Sequence, residues 1–424
     1  MAISAVILSF ISISADRFAG AGGTGAFGGI IGRDPEGARL LLATIAGSMI
    51  TVAGVAYSVT VVALTLASSQ FGPRLLTNFM QDTGNQIVLG TFIATFLYCL
   101  LVLLAVIGNS GAEFVPTISL SIAMGLALVS VAVFIFFVHH AAESIHVENI
   151  LAKVSHNVDT TMDRVFASSP GDGWSDAEEA GSMPGAAIEG VPICSTRSGY
   201  LQAIDRSSLL QLAEQNELVV QCQCRPGSFI ISGAVLAVAA QQQDSDLSDL
   251  VVANIRRSFL LGHRRTYEQD VEFALDQLVE LGVRSLSPGI NDPFTAMMCL
   301  DRLGAAISRV IKERPPPSRF FDAAGRLCLV EVPFPRESLV NLAFNQIREQ
   351  GVGHTAVIVR LLATLGAVAQ RSSDPQLNSL LLQHAKLALE SYRQQSHNAH
   401  DLNTVHLAYR GVVASIQQDR PRCH

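Results

Sequence analysis

The stretch LLLATIAGSMITVAGVAYSVTVVALTLASSQ, residues 40–70, contains no Asp, Glu, Lys, Arg or His. A helix needs about 20 apolar residues to cross about 30 Å of hydrocarbon, so this stretch can span a bilayer with several residues of tilt or overhang. It therefore sets the fold class as an integral membrane protein, and residues 40–68 are predicted to be a transmembrane helix.

Hydroxyl side chains recur along one face of this helix, with Gly47 and Gly54 nearby. They are Thr44, Ser48, Thr51, Ser58, Thr65 and Ser69, and we call them the hydroxyl seam. Small and hydroxyl residues let neighbouring helices approach closely and share hydrogen bonds. The same seam could instead line a path for water or ions, and the sequence leaves both interpretations open.

Charge is distributed unevenly along the chain. The 424 residues are 49% hydrophobic and 15% charged, and between residues 40 and 138 the ionic side chains are Arg74, Asp82 and Glu113. Most of the charge follows His139. This pattern predicts an α-helical membrane domain over residues 1–150, followed by a soluble α+β domain.

The N-terminal domain is predicted to contain about four transmembrane helices. Their approximate bounds are 1–18, 40–68, 85–107 and 116–140. The first segment is apolar for only thirteen residues before Asp16 and Arg17, which resembles the core of a signal peptide. It lacks the basic segment and the cleavage site of a signal peptide, so we favour a first span.

Four spans place both ends of the domain on the same side of the membrane. Arg74 lies in the second loop and no basic residue lies in the third, which favours a cytoplasmic N-terminus and C-terminal domain. The seven cysteines form no CxxC pair and suit a reducing compartment. We therefore expect a multi-pass protein of the inner (plasma) membrane, with the lipid bilayer as a partner.

The soluble part is predicted to have three sections. Residues 151–190 form a helical extension and linker, in which the helical pattern continues unbroken from the last span toward Phe166. Residues 191–245 form a small β domain. Residues 246–424 are mainly helical, with one apolar helix face formed by Val271, Ala274, Leu275, Leu278 and Leu281.

The β domain resembles a known scaffold in two of its segments. SGYLQAID and RPGSFIISGAVLAVA, residues 198–205 and 225–239, are similar to the two halves of a lipoyl or biotinyl barrel-sandwich domain. Such domains carry a modified lysine, but no lysine lies between Lys153 and Lys312. We therefore expect no attached cofactor, and we predict no metal site.

One loop offers a candidate anion site. In SPGINDP, residues 287–293, Asp292 and Pro293 suit the N-cap and first position of a helix. The free amides of this helix start, with Asn291 and the basic group His263, Arg264 and Arg265, could bind an anion. The alternative is that the basic group is a solvated or salt-bridged helix start.

Three long blocks resemble one bacterial family. They are residues 44–103, beginning TIAGSMITVAGVAYS, residues 198–205, SGYLQAID, and residues 287–305, SPGINDPFTAMMCLDRLGA. Together they are similar to the predicted membrane proteins called the domain of unknown function 2254 family. The resemblance implies N-terminal spans followed by a soluble domain, and it implies no catalytic or binding residue.

Several functions can be weighed from these features. The net charge of −7 and the absence of a long basic tract argue against a nucleic-acid partner. No GxSxG, HExxH, Walker or kinase signature is present, so we expect no enzyme and assign no catalytic residue. We expect a homo-oligomeric channel or transporter-like protein with a cytosolic regulatory domain. The alternative is a membrane-anchored sensor or scaffold that binds a protein or small anion through its soluble domain.

Overall fold

The computed structural model describes most of the chain and divides it into two compact units. The described residues are 1–19, 34–71, 83–106, 114–144, 146–167, 188–241, 247–395 and 398–417. The units are Met1–Ile150 and Leu151–His424. Arg74, used above to predict orientation, and most of the predicted linker lie outside the described residues.

The first unit is helical throughout its described parts. Its helices are α1 (Ala2–Ala19), α2 (Pro35–Phe71), α3 (Thr83–Ala105) and α4 (Thr117–Ser144). Within α2, α3 and α4, the segments Pro35–Leu66, Gly84–Ala105 and Thr117–Ala141 are long and apolar enough to cross a membrane. These three candidate spans confirm the membrane character that the uncharged stretch predicts.

Helix α1 has 18 residues and packs against α3 and α4. Asp16 on this helix is only 5% exposed, and its carboxylate forms hydrogen bonds to α4. One carboxylate oxygen of Asp16 accepts from the Ile118 amide at 2.8 Å. The other accepts from the Ser119 amide at 2.9 Å and from the Ser119 hydroxyl at 2.7 Å. A side chain of α1 thus caps the amino end of α4, whose first amides have no partner within their own helix.

A buried tyrosine extends this polar contact into the helix bundle. The Tyr98 hydroxyl on α3 donates to the Ser119 carbonyl at 3.1 Å and shares a hydrogen bond of 2.9 Å with the Ser12 hydroxyl. Both side chains are almost completely buried. The network therefore joins α1, α3 and α4 at the end of the unit where α1 ends and α4 begins.

A separate helix, most of which belongs to the second unit, follows α4. Helix α5 (Val147–Phe166) starts after α4 has ended at Ser144, so the continuous helix predicted from the last span to Phe166 is wrong. The sequence pattern is helical on both sides of the break, which is why periodicity alone did not locate it.

Two sheets form the β part of this unit. The strands are β1 (Val191–Cys194), β2 (Gly199–Ile204), β3 (Leu218–Cys222), β4 (Phe229–Ile230), β5 (Val235–Gln241), β6 (Phe259–Gly262), β7 (Arg319–Phe321) and β8 (Leu327–Val330). One sheet has the order β1-β5-β3-β8-β7 and the other has the order β4-β2-β6. Strand β8 pairs in parallel with β3, while the other pairs are antiparallel. The larger sheet therefore combines strands from both predicted soluble domains.

Helices complete the second unit. They are α6 (Arg206–Gln215), α7 (Asp249–Arg257), α8 (Val271–Ser285), α9 (Pro293–Lys312), α10 (Arg336–Gln350), α11 (Thr355–Ala369), α12 (Pro375–Arg393) and α13 (Ala399–Gln417). The apolar face predicted for α8 is buried as expected, with each of its five residues at most 4% exposed. Asp270 caps α8 by accepting from the Phe273 amide at 2.9 Å.

The Asp16 cap can be tested by replacing it with the uncharged amide. We expect Asp16→Asn to lower the thermal midpoint of the purified protein in detergent, because an amide NH₂ cannot accept the hydrogen bonds from Ile118 or Ser119. The loss corresponds to about 1–3 kcal/mol. Asp34 is the matched control, since it caps α2 while exposed and Asn caps as well as Asp there. Equal midpoints for the two variants would contradict the assignment.

Candidate functional site

The hydroxyl seam lies on the exposed side of α2. Its six residues are all exposed, whereas the opposite face is buried through Leu42, Ala46, Met49, Ala53 and Ala56. An ideal Cβ built at Gly47 or Gly54 meets no heavy atom within 4 Å. Helix packing among the described residues of one copy therefore does not explain the seam.

Five of the six seam hydroxyls donate hydrogen bonds to the backbone of α2. Thr44, Thr51 and Thr65 each donate to the carbonyl four residues earlier, at 2.7–2.8 Å. Ser48 and Ser69 donate to the carbonyl three residues earlier, at 2.9 Å. A hydroxyl bonded in this way still has lone pairs and can accept a hydrogen bond from another group. The seam is thus compatible with lipid, with another helix or with water.

The predicted anion residues do not form one site. Arg265 donates two hydrogen bonds to Asp270, at 2.7 and 2.9 Å, and one to Asp276 at 2.9 Å. These acids lie at the start of α8, and Asn291 follows its end. A helix of 15 residues is about 22 Å long, so Arg265 and Asn291 lie at opposite ends of α8.

The helix start near Asn291 is already occupied by its own cap. The Asp292 carboxylate accepts from the amides of Phe294 and Thr295, both at 3.1 Å, and from the Thr295 hydroxyl at 2.5 Å. His263 and Arg264 are exposed. The salt-bridged interpretation of the sequence therefore describes Arg265, and the cap describes Asp292.

The structure instead places a cavity of about 110 Å³ between the β part and the helices of the second unit. It is lined by Val165, Ile204, Arg206, Arg225, Pro226, Gln269, Asp270, Val271, Glu272, Pro316, Pro317, Glu331, Val332, Pro333, Phe334, Pro335 and Leu339. An apolar cavity of about 150 Å³ holds benzene, so this cavity suits a ligand of a few heavy atoms.

Two ion pairs frame the cavity. Arg206, the first residue of α6, binds both carboxylate oxygens of Glu331 at 2.8 and 2.9 Å. Its guanidinium also lies 4.8 Å from the centre of the Phe320 ring. Arg225 donates from one nitrogen to Glu272 at 2.6 Å. Pairing lowers the cost of holding these charges beside an apolar wall.

Arg225 has unused hydrogen-bonding capacity. Its Nε and second terminal nitrogen contact no acceptor among the described residues, and its side chain is 36% exposed. A guanidinium presents five N–H donors in a fixed plane that matches carboxylate and phosphate groups. The wall around Arg225 is built of valine, isoleucine and proline, so the cavity can hold an acid with a small apolar body.

Helix α5 forms part of the cavity wall. Val165 lines the cavity, and the next residue, Phe166, packs edge-on against the lining residue Phe334 at 5.3 Å. The helix is held on the second unit by polar contacts as well. Arg309 pairs with Asp163 at 2.5 Å, and the Thr161 hydroxyl donates to the Tyr267 carbonyl at 2.9 Å. A bound ligand would contact the helix that directly follows α4 in the chain.

Sequence reasoning missed this cavity because its charged residues are far apart in the chain. Arg225 and Glu272 are 47 positions apart, and Arg206 and Glu331 are 125 apart. The one local signal was the concentration of proline on both sides of the strand pair β7 and β8. Proline cannot continue helices or central strands, but this signal gives no ligand chemistry.

Burial keeps three other reactive side chains, Cys224, Cys299 and His384, in their neutral forms. Burial raises the pKa of Cys224 to about 11 and that of Cys299 to about 12, so both thiols stay protonated near neutral pH. Burial and then the nearby Arg348 lower the pKa of His384 to about 4. His384 is therefore neutral, and it bonds Asn341 at 2.9 Å.

Comparison with known proteins places residues 1–367 under the family model described as "Predicted membrane protein (DUF2254)". Uncharacterized proteins of Mycobacterium bovis and Mycobacterium tuberculosis are each 32% identical over 349 residues, which cover 80% of this chain and 65% of the relative. The chain thus spans 65% of the length of these relatives, slightly less than two thirds. No solved structure matches it significantly.

The wall of the cavity near Arg225 can be tested at Gly227. Gly227 has a φ of +92°, and a Cβ there would lie 2.7 Å from the Asp270 carboxylate carbon. We expect Gly227→Ala to lower the thermal midpoint much more than Gly233→Ala. Gly233 has a φ of +89° with open space around it, so that control carries only the left-handed strain of about 1–2 kcal/mol. Equal losses would show that Gly227 does not approach Asp270.

Proposed function

The chain belongs to the DUF2254 family of predicted membrane proteins, and we propose that it senses a small anionic molecule through its soluble unit. The cavity at Arg225 carries this proposal, because it combines unused guanidinium donors with an apolar wall. The contact of Val165 and Phe166 with the cavity region supplies a route by which ligand binding acts on helix α5.

The mechanism follows from differential binding. A carboxylate or phosphate group of the ligand would bond Arg225, and its apolar part would contact Val165 and Phe334 beside α5. A ligand biases a two-state equilibrium only if it binds the two states with different affinities. The ligand would therefore favour the arrangement of α5 that closes the cavity wall.

The proposed membrane arrangement includes α1 as a fourth span. The Asp16 cap on α4 supports this, because α1 is built into the helix bundle of the first unit. The barrel-sandwich resemblance is kept only for the β1–β5 region, since β7 and β8 extend the larger sheet. We also propose that the protein lies in the inner membrane with its soluble unit in the cytoplasm. The described cysteines of this unit, all unpaired, favour a reducing compartment.

An oligomeric channel or transporter-like protein is the second candidate. The observation that favours it is the exposed hydroxyl seam of α2, which the fold of one copy leaves uncovered. In a homo-oligomer, α2 helices could pack through the seam or surround a central path with it. Both arrangements are compatible with a ligand-sensing soluble unit.

Ligand binding is tested with a thermal-shift panel of small carboxylates and inorganic phosphate on the full chain. At least one acid is expected to raise the midpoint of the wild type, and Arg225→Gln should abolish that rise. Arg284→Gln is the matched control, because Arg284 is also 36% exposed and also forms one ion pair, with Glu280 at 3.2 Å. The ligand should slow hydrogen exchange in residues 151–166. An unchanged shift in Arg225→Gln would refute the site.

The seam is tested with the double substitution Thr51→Val and Ser58→Val. If α2 helices pack through it, the oligomer seen by native mass spectrometry in nanodiscs should dissociate. If it lines a pore, the oligomer should persist and ion flux in liposomes should change. Thr91→Val is the control, since Thr91 is partly exposed on α3 and also donates to the carbonyl four residues earlier. A monomeric wild-type protein without flux would remove the oligomeric candidate.

The orientation is tested by cysteine labelling in intact cells of an expression host. We expect a cysteine at exposed Leu250 to react with a membrane-impermeant maleimide only after the membrane is opened. A cysteine at position 24 in the first loop should react in intact cells. The reverse pattern would place the soluble unit outside. Arg33 in that loop and the flanking helix residues Arg17 and Arg39 would favour it by charge count.

A further inference from the structure

The outer face of the three-stranded sheet β4-β2-β6 is unusually apolar. Phe229 is 58% exposed, Ile231 65% and Leu260 51%. Residues on the other face, including Leu201 and Ile230, are buried in the core of the β part. A sheet covered on one side normally presents polar residues on its other side. Large apolar residues grouped on an exposed face indicate an interaction surface.

The strand register brings these side chains together. Tyr200 pairs with Phe229 on one side and with Gly262 on the other, and the rings of Tyr200 and Phe229 pack edge-on at 5.0 Å. Ile231 lies two residues beyond Phe229, and Leu260 lies two residues before Gly262. Alternation along β6 therefore directs Leu260 to the face of Tyr200, while Ile231 directly follows β4 and is exposed. We call Tyr200, Phe229, Ile231 and Leu260 the apolar face.

Basic residues border the apolar face. Arg197 precedes β2, while His263 and Arg264 follow β6, and all three are exposed. The Arg197 guanidinium donates to the Leu261 carbonyl at 2.8 Å, which holds it at the sheet. The Ser232 amide donates to the Ser198 hydroxyl at 2.9 Å, which brings the turn after Ile231 beside Arg197.

Acidic residues are absent from the segments that build this surface. Residues 195–204, 226–235 and 259–264 contain no Asp or Glu, although the whole chain has a net charge of −7. An aromatic and aliphatic centre with basic residues at its border is the composition of surfaces that insert shallowly among anionic lipid headgroups.

From this combination we propose that the apolar face, with Arg197, His263 and Arg264, docks on the anionic headgroup surface of a bilayer. The chain carries three helices long enough to cross a membrane, so its soluble unit is tethered near such a surface. Contact between two copies through this face would place like charges opposite each other. Strand β4 has only two residues, which is too short an edge for pairing with a partner strand.

The test uses a tryptophan as a depth probe in the full chain. The chain has one tryptophan, Trp174, so Trp174→Phe combined with Phe229→Trp gives a single reporter in the apolar face. In nanodiscs that contain phosphatidylglycerol, its emission should shift to the blue and be quenched by lipids brominated on their acyl chains. In nanodiscs of phosphatidylcholine alone, both effects should be weak.

Charge and position are controlled separately. Adding Arg197→Gln and Arg264→Gln to the reporter should weaken the docking about fivefold for each arginine, and high salt should do the same. A reporter at Leu407, which has the same 58% exposure as Phe229, should show no quenching in either disc. Only variants whose thermal midpoint equals that of the parent reporter protein are compared.

The outcomes distinguish binding to a bilayer surface from binding to a free phosphate group. Equal quenching of the Phe229 reporter in both discs, or none in either, would overturn the proposal. Glycerol phosphate added to phosphatidylcholine discs should leave the emission unchanged. A shift produced by it would show that the surface binds a free phosphate group instead of a bilayer. Because Arg225 is unchanged in these variants, loss of docking is distinct from loss of the cavity ligand.

Discussion

The hydrocarbon of a bilayer contains no water, so each polar group within it must find a partner inside the protein. This constraint accounts for the main features of the first unit. Its described parts are mainly helical, most α2 hydroxyls bond their own backbone, and Asp16 accepts hydrogen bonds from donors of α4. The carboxylate and the amino end of α4 satisfy each other, since one lacks donors and the other lacks acceptors.

In the soluble unit, partly buried charged groups likewise find partners within the protein, in the form of ion pairs. Arg206 with Glu331, and Arg265 with Asp270, are pairs in which a planar guanidinium meets both oxygens of a carboxylate. Such pairs fix orientation as well as charge. Arg225 differs because it contributes one hydrogen bond to Glu272. The cavity is thus lined by the bidentate Arg206–Glu331 pair and by Arg225, whose remaining donors contact no acceptor among the described residues.

Local features of this fold could be predicted from the sequence, and long-range ones could not. The uncharged stretch, the Asp292 cap and the buried face of α8 follow from periodicity and propensity within a few residues. The strand β8 beside β3 and the cavity around Arg225 depend on contacts more than 40 residues apart. The break between α4 and α5 was not located because the residues on both sides of it have a helical pattern, and periodicity does not mark a short interruption.

The exposed side of α2 bears on whether the hydroxyl seam packs against another helix or lines a path for water or ions. Its buried face uses Leu42, Met49 and Ala53 against the other helices, so the first unit packs without the seam. Hydroxyl and glycine residues on a lipid-facing surface would weaken apolar contact with lipid and gain little from it. A second helix or an aqueous path gains from those same residues, through close approach or through the free lone pairs of the hydroxyls. The homo-oligomer proposed above would use the seam in one of these two ways, and the proposed ligand cavity of each copy would then act on a shared membrane structure.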